Sequence, residues 1–123
     1  MSNILLVEDE DLFAEMIRKT LVTDGHTVLR ARNGAEALHL YDPQTVSLVL
    51  TDLIMPDVDG MELIVELQQR DPAVRIIAMS GGGRCGAETY LPIAERLGAV
   101  KTLAKPFSIA VLAAAIKECL DET

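Results

Sequence analysis

Short apolar runs alternate with amphipathic helical patterns along the sequence, and this alternation limits the fold more than any other feature. The first run, residues 4–7, is short and continuously apolar, as expected for a strand buried on both faces. We predict five strands, at residues 4–7, 27–31, 48–50, 74–79 and 100–104. Helical patterns follow them, at about residues 13–21, 33–41, 59–70, 90–97 and 108–120. Five strands alternating with five helices predict an α/β fold with a doubly wound parallel sheet.

Polar residues mark several of the predicted helix starts. Asn33 and Asp59 each have a glutamate three positions later, as in a capping box. Ser108 is predicted to cap the last helix. Pro92 is assigned to the first turn of the fourth helix, where proline is best tolerated. The apolar residues expected on the buried face of the last helix are Ile109, Leu112, Ala113, Ile116 and Leu120.

Length and charge exclude several classes of function. The 123 residues predict one domain that spans residues 1–123. A net charge of −8 argues against direct nucleic-acid binding, which needs clustered positive charge. No apolar run approaches the ~20 residues that cross a bilayer, and the N-terminal residues lack the pattern of a secretory signal. We therefore expect a cytoplasmic protein without membrane contact. Cys85 and Cys119 are too few for a disulfide framework or a zinc site.

Chemically active side chains follow four of the predicted strands. Glu8 and Asp9 come directly after the first strand, Asp52 after the third, Ser80 after the fourth and Lys105 after the fifth. In parallel sheets, ligands bind at the carboxyl ends of the strands. We therefore expect three carboxylates, a hydroxyl and an ammonium group to converge from distant parts of the sequence.

These residue types suit phosphoryl transfer assisted by a metal ion. Magnesium prefers oxygen ligands, and a cluster of carboxylates with a backbone carbonyl provides them. The carboxylate of an aspartate such as Asp52 can attack phosphorus to form an aspartyl-phosphate. A metal ion and a lysine can neutralise the charge on the transferred group, and a serine hydroxyl can bind one of its oxygens.

Four short motifs resemble the receiver domain of two-component response regulators. They are LLVEDE at residues 5–10, LTDLIMPDVDG at residues 50–60, MSG at residues 79–81 and AKPF at residues 104–107. The second motif is highly specific, and the four together are more so. The resemblance covers essentially the whole chain.

The resemblance implies a flavodoxin-like α/β fold, in which a five-stranded parallel sheet of order 2-1-3-4-5 is covered by five helices. It also implies that Asp52 is the phosphoacceptor and that Mg²⁺ is the cofactor. Asp9 would bind the ion directly and Glu8 through a water molecule. The backbone carbonyl of Ile54 would be a further ligand.

The resemblance further implies how the phosphoryl group is held and who supplies it. Ser80 would hydrogen-bond this group and Lys105 would pair with it, with a cis Pro106 aiming the lysine inward. The implied partners are a sensor histidine kinase or phosphotransfer protein and a downstream protein target or output domain. Such a domain is a signalling switch, not an enzyme, and catalyses only its own phosphorylation and dephosphorylation. The implied output surface, which would also serve a homodimer, comprises the fourth helix, the fifth strand and the fifth helix.

The sequence departs from the family's pattern at two places. Thr102 occupies a position where the family commonly has a Tyr or Phe that swings inward on activation. The segment after Ser80 is longer than usual and rich in glycine, so we hypothesise that its closure over the phosphorylated site carries the signal. Ile54 also cannot orient a hydrolytic water by hydrogen bonding, and we therefore predict a long-lived aspartyl-phosphate.

Two other classes of protein share parts of this pattern. A magnesium-dependent phosphatase of the haloacid-dehalogenase type also uses an aspartate nucleophile with a Ser/Thr and a Lys. Such enzymes usually have a second Asp two residues after the first, where this chain has Ile54. A flavin-binding module has the same architecture, but this chain has no Trp and few aromatic residues to stack on the flavin ring.

Overall fold

A five-stranded parallel sheet forms the centre of the computed structural model, which describes residues 2–53, 60–80 and 87–121. The elements in chain order are β1 (Asn3–Val7), α1 (Asp11–Thr23), β2 (Thr27–Ala31), α2 (Gly34–Leu40), β3 (Leu48–Asp52), α3 (Gly60–Arg70), β4 (Ile76–Ser80), α4 (Ala87–Leu97), β5 (Lys101–Ala104) and α5 (Ile109–Asp121). All strand pairs are parallel, and the order is β2-β1-β3-β4-β5. The predicted fold class and strand order are confirmed.

Two apolar clusters lie on the two faces of the sheet. Successive side chains of a strand point to opposite faces, so Leu5 and Val7 join one cluster while Ile4 and Leu6 join the other. The first cluster also contains buried residues of α2, α3 and α4, and the second contains residues of α1 and α5. Strands covered on both faces must be apolar throughout, which explains the continuous runs in the sequence.

The strand ends differ slightly from the predicted ones, and the differences bear on the site. β3 extends to Asp52 and β4 extends to Ser80. Both polar residues are therefore the last residues of regular strands, not part of the loops that follow. β4 begins at Ile76 and β5 at Lys101, slightly later than predicted.

Two predicted helix caps are confirmed. The Asn33 side chain accepts a hydrogen bond from the backbone N–H of Glu36 at 2.8 Å. The Ser108 hydroxyl accepts one from the backbone N–H of Val111 at 3.1 Å. Asp59, expected to cap α3, lies outside the described residues.

Two predictions about helix interiors are wrong. Pro92 lies inside α4 and not in its first turn, because the helix begins at Ala87, before the apolar pattern starts. Ile109 is 58% exposed. The buried stripe of α5 runs through Leu112, Ile116 and Cys119, so that Ile109, in the first turn, lies beyond it.

Candidate functional site

The carboxyl ends of four strands bring the candidate residues to one edge of the sheet. Asp52 and Ser80 end the neighbouring strands β3 and β4. Glu8 directly follows β1, and its backbone N–H donates to the carbonyl of Ala31 at 3.0 Å. Lys105 directly follows β5, and its backbone N–H donates to the carbonyl of Ser80 at 2.8 Å. The peptide bond between Lys105 and Pro106 is cis, as the sequence motif predicts.

The ammonium group of Lys105 bridges two buried carboxylates. Its Nζ lies 3.0 Å from Glu8 Oε1 and 3.2 Å from Asp52 Oδ2. Glu8 is 1% and Asp52 is 7% exposed. Burial raises the pKa of Glu8 above its ordinary value, although its hydrogen bonds and Lys105 oppose this shift. Burial alone would lower the pKa of Lys105, but the charges and hydrogen bonds of Asp52 and Glu8 outweigh it and raise that pKa.

A third carboxylate completes an acidic cluster beside this lysine. Ligand oxygens of Glu8, Asp9 and Asp52 all lie within 4.8 Å of one another. Glu8 and Asp52 are buried, whereas Asp9 is exposed. The carboxylate oxygens are hard donors, and their combined negative charge exceeds what one ammonium group can neutralise. Both properties suit Mg²⁺. Ile54, whose carbonyl is a predicted ligand, lies outside the described residues.

The Ser80 hydroxyl is buried at the same edge. Ser80 is 1% exposed, and its Oγ has no hydrogen-bond partner among the residues that the structure describes. A buried hydroxyl without a partner is costly. The site therefore contains a polar group that an added oxygen atom could satisfy.

Two contacts at this site were not found from the sequence. Lys105 Nζ lies 4.3 Å from the centroid of the Phe13 ring, within the range of a cation–π interaction. Phe13 in turn packs edge to face against Phe107, with 5.9 Å between the ring centroids. The sequence indicates only that Phe13 lies on the inner face of α1. Its place one helical turn after Asp9 is the signal that could have found it.

Arg30 is a second residue that sequence reasoning missed. This residue of β2 pairs in register with Leu6 of β1. Its Nε and Nη2 donate to the backbone carbonyl of Glu8 at 3.2 and 2.8 Å, and its Nη1 lies 2.8 Å from Asp11 Oδ1. No local motif reveals this contact, because it depends on the pairing of β2 with β1.

Gly60 allows the backbone to return close to the end of β3. Its backbone N–H donates to the carbonyl of Leu53 at 2.9 Å. A Cβ at this position would collide with the backbone carbonyl of Asp52 and the Cα of Leu53. Only glycine fits such a close backbone approach.

Comparison with known proteins identifies the family of the fold and the site. The chain matches the response regulator receiver domain family over residues 4–117. It belongs to this family. The receiver domain is 35% identical over 123 residues to sensor kinase CckA of Brucella abortus, covering 98% of this chain. It is 34% identical to chemotaxis protein CheY of Bacillus subtilis, covering 96% of this chain.

The relatives differ in length, and solved receiver structures share the whole fold. The receiver domain spans only 13% of CckA but 97% of CheY. A receiver domain protein from Clostridium thermocellum superimposes with a TM-score of 0.91 and 28% identity, covering 98% of this chain and 95% of that one. The response regulator protein TrrA from Thermotoga maritima was solved in complex with Mg²⁺-BeF. It superimposes with a TM-score of 0.85 and 26% identity, covering 98% of this chain and 100% of that one.

These matches bear on the other classes considered from the sequence. They identify a receiver domain of a two-component response regulator, which is a signalling switch and not a conventional enzyme. They do not support the haloacid-dehalogenase phosphatase. Within the described residues, no helix of the receiver domain is long and apolar enough to cross a membrane.

Proposed function

We propose that this receiver domain accepts a phosphoryl group on Asp52 from a histidine kinase or a phosphotransfer protein. The observation that carries the proposal is the buried Asp52 carboxylate held by Lys105 beside two further carboxylates. An acid buried this deeply at a ligand-binding edge of the sheet, beside a lysine, is a natural nucleophile for phosphorus.

The transfer exchanges one bond to phosphorus for another. An oxygen of the Asp52 carboxylate forms the new P–O bond, while the P–N bond of the phosphohistidine donor breaks. The electron pair of that bond returns to the imidazole nitrogen of the donor. Lys105 lies 3.2 Å from Asp52 Oδ2 and is placed to pair with the phosphoryl charge after transfer. The Ser80 hydroxyl would donate to another phosphoryl oxygen, and its unmet hydrogen bond supports this role.

The acidic cluster is proposed to hold Mg²⁺. Asp9 and Asp52 would bind the ion directly and Glu8 through water, with the carbonyl of Ile54 as a backbone ligand. When bound, the ion neutralises charge on the transferring phosphoryl group. The Mg²⁺-BeF complex of the related TrrA supports this assignment, since BeF mimics a phosphoryl group.

Phosphorylation is proposed to alter the surface formed by α4, β5 and α5, which would then bind a downstream target, an output domain or a second copy of this chain in the cytoplasm. Exposed apolar side chains support a docking role, namely Ile93 of α4, Val111 of α5 and Val100, which directly precedes β5. Thr102 is half-buried in β5, and it lacks the ring that the family's aromatic readout needs. Residues 81–86, whose closure is our alternative readout, lie outside the described residues.

Acetyl phosphate labelling followed by intact-mass measurement tests the proposal. We expect one phosphoryl group per chain in the presence of Mg²⁺ and none with EDTA. Asp52→Asn should abolish labelling, whereas Asp24→Asn, which makes the same change at an exposed acid, should retain it. Labelling that persists in Asp52→Asn would refute the assignment. The decay of the label after removal of acetyl phosphate tests the predicted long lifetime, and loss within seconds would contradict it.

A further inference from the structure

We propose that Arg30 is a positioning residue for the cation site, because it holds the acidic segment Glu8–Asp11 in the conformation that binds the ion. This inference rests on the proposed Mg²⁺ site. Arg30 belongs to β2, which contributes none of the carboxylates of the cluster. Its role would therefore be exerted entirely through the backbone and side chains of that segment.

The guanidinium group of Arg30 holds both ends of the acidic segment. Two of its nitrogens, Nε and Nη2, donate to the backbone carbonyl of Glu8. The third, Nη1, donates to Asp11 Oδ1 at 2.8 Å, in the first turn of α1. All three nitrogens are thus used within four consecutive residues. The planar guanidinium group has donors in fixed directions, so it constrains the orientation of its partners in addition to carrying a positive charge.

The orientation of Glu8 follows from this clamp. Its N–H and its carbonyl are both held by β2, through Ala31 and Arg30 respectively. Its side chain accepts from the backbone N–H of Glu10 at 3.1 Å and from Lys105 at 3.0 Å. Release of the carbonyl would let the peptide that joins Glu8 to Asp9 rotate, and both candidate ligands flank that peptide.

Charge alone does not explain Arg30 at this place. A fixed positive charge beside a cation site weakens cation binding by Coulomb repulsion. If Arg30 strengthens cation binding, it must therefore do so by positioning the ligands and not by its charge. Partners that orient metal ligands typically contribute ~10- to 100-fold in affinity.

Arg32 provides a matched control on the same strand. Its Nη1 lies 3.1 Å from the same oxygen of Asp11, and its side chain is 62% exposed, compared with 22% for Arg30. Among the described residues of the acidic segment, Arg32 hydrogen-bonds only to Asp11. Arg32→Met therefore removes the same charge as Arg30→Met and leaves the Glu8 carbonyl held.

The first test titrates the full chain with Mn²⁺ and measures free Mn²⁺ by electron paramagnetic resonance. The second follows the amide chemical shifts of residues 8–11 during titration with Mg²⁺. We expect Arg30→Met and Arg30→Lys to lose affinity by ~10-fold and to shift the amides of residues 8–11 before any ion is added. Arg32→Met should bind as tightly as the unmodified chain or more tightly, because only repulsion is removed.

Three results would overturn the inference or its basis. Unchanged affinity in Arg30→Lys would show that the three donors of the guanidinium group are not needed to position the ligands. An equal change in Arg30→Met and Arg32→Met would lead to the same conclusion. Absence of Mn²⁺ and Mg²⁺ binding by the unmodified chain would instead overturn the proposed metal site itself. Far-ultraviolet circular dichroism identifies any variant that fails to fold, and Arg30→Lys is the variant least exposed to that failure.

Discussion

Replacement of Lys105 by methionine should destabilise the metal-free protein and make its stability depend on Mg²⁺. The ammonium group contacts Glu8 at 3.0 Å and Asp52 at 3.2 Å, and the lysine side chain is only 18% exposed. Methionine keeps most of the side-chain volume but removes the charge. Two buried carboxylates would then lose their shared cation.

The magnitude follows from these distances and from the burial. At an effective dielectric constant of about 20, each contact amounts to about 5 kcal/mol of Coulomb energy before solvation is counted. The cost of burying the lysine offsets most of this Coulomb energy. The measured loss of stability on breaking a buried ion pair is therefore about 3–5 kcal/mol. Because Lys105 retains some solvent contact, we expect a loss of about 3 kcal/mol in the free energy of unfolding near neutral pH.

Urea unfolding followed by circular dichroism in EDTA measures this loss. Mg²⁺ should stabilise Lys105→Met more than the unmodified chain, because in the variant the ion binds carboxylates that no ammonium group neutralises. An ion present at 100 times its dissociation constant stabilises the folded state by about 2.7 kcal/mol. The matched control is Lys101→Met, which removes an ion pair between the half-buried Lys101 and the exposed Glu118 and should cost less than about 1 kcal/mol.

Two outcomes would refute this reasoning. If Lys105→Met matches the unmodified chain in stability in EDTA, the ammonium group does not compensate the buried carboxylates. If Lys101→Met loses as much stability as Lys105→Met, the loss reflects removal of a surface charge and not the buried bridge.

Three further predictions concern other features of the fold. Gly60→Ala should lower the free energy of unfolding by about 1–3 kcal/mol, because its Cβ would meet backbone atoms of Asp52; an unchanged urea midpoint would contradict the close approach. Tyr41 donates to Asp71 at 2.7 Å, and burial, followed by this hydrogen bond, raises the pKa of Tyr41. The folded state therefore keeps the tyrosine proton above about pH 10, where the unfolded chain loses it. Between about pH 9 and about pH 11, the free energy of unfolding should fall by about 1 kcal/mol more in the unmodified chain than in Tyr41→Phe. A double-mutant cycle of Phe13→Leu and Lys105→Met should give a coupling of about 1 kcal/mol for the cation–π contact, and additive losses would argue against it.

Local sequence signals predicted most of the elements and misplaced a few of their details. A continuous apolar run reflects a strand buried on both faces, so it could be recognised without knowing its neighbours. Some element ends were misplaced, because β3 and β4 extend to Asp52 and Ser80 and α4 begins before its apolar pattern. The exposure of Ile109 could not be predicted, because apolar periodicity does not show where along a helix the underlying sheet stops covering it.

The sequence by itself determined that Glu8, Asp9, Asp52, Ser80 and Lys105 lie at the carboxyl ends of strands of a parallel sheet. Strand ends are local features, and parallel strands end at the same edge, so the convergence of these residues could be inferred from order along the chain. Which carboxylates the ammonium group of Lys105 contacts, however, depends on distances between atoms, and sequence patterns do not encode these distances.

Only the tertiary structure decided which residues support this site from outside the motifs. Arg30 reaches the carbonyl of Glu8 because β2 pairs with β1 in a register that places it opposite Leu6. Phe13 reaches Lys105 because α1 packs on the same face of the sheet as the start of α5. These contacts join residues that are far apart in sequence, and a hydrogen bond or a cation–π contact forms only when the packed backbone brings its two groups within a few ångströms.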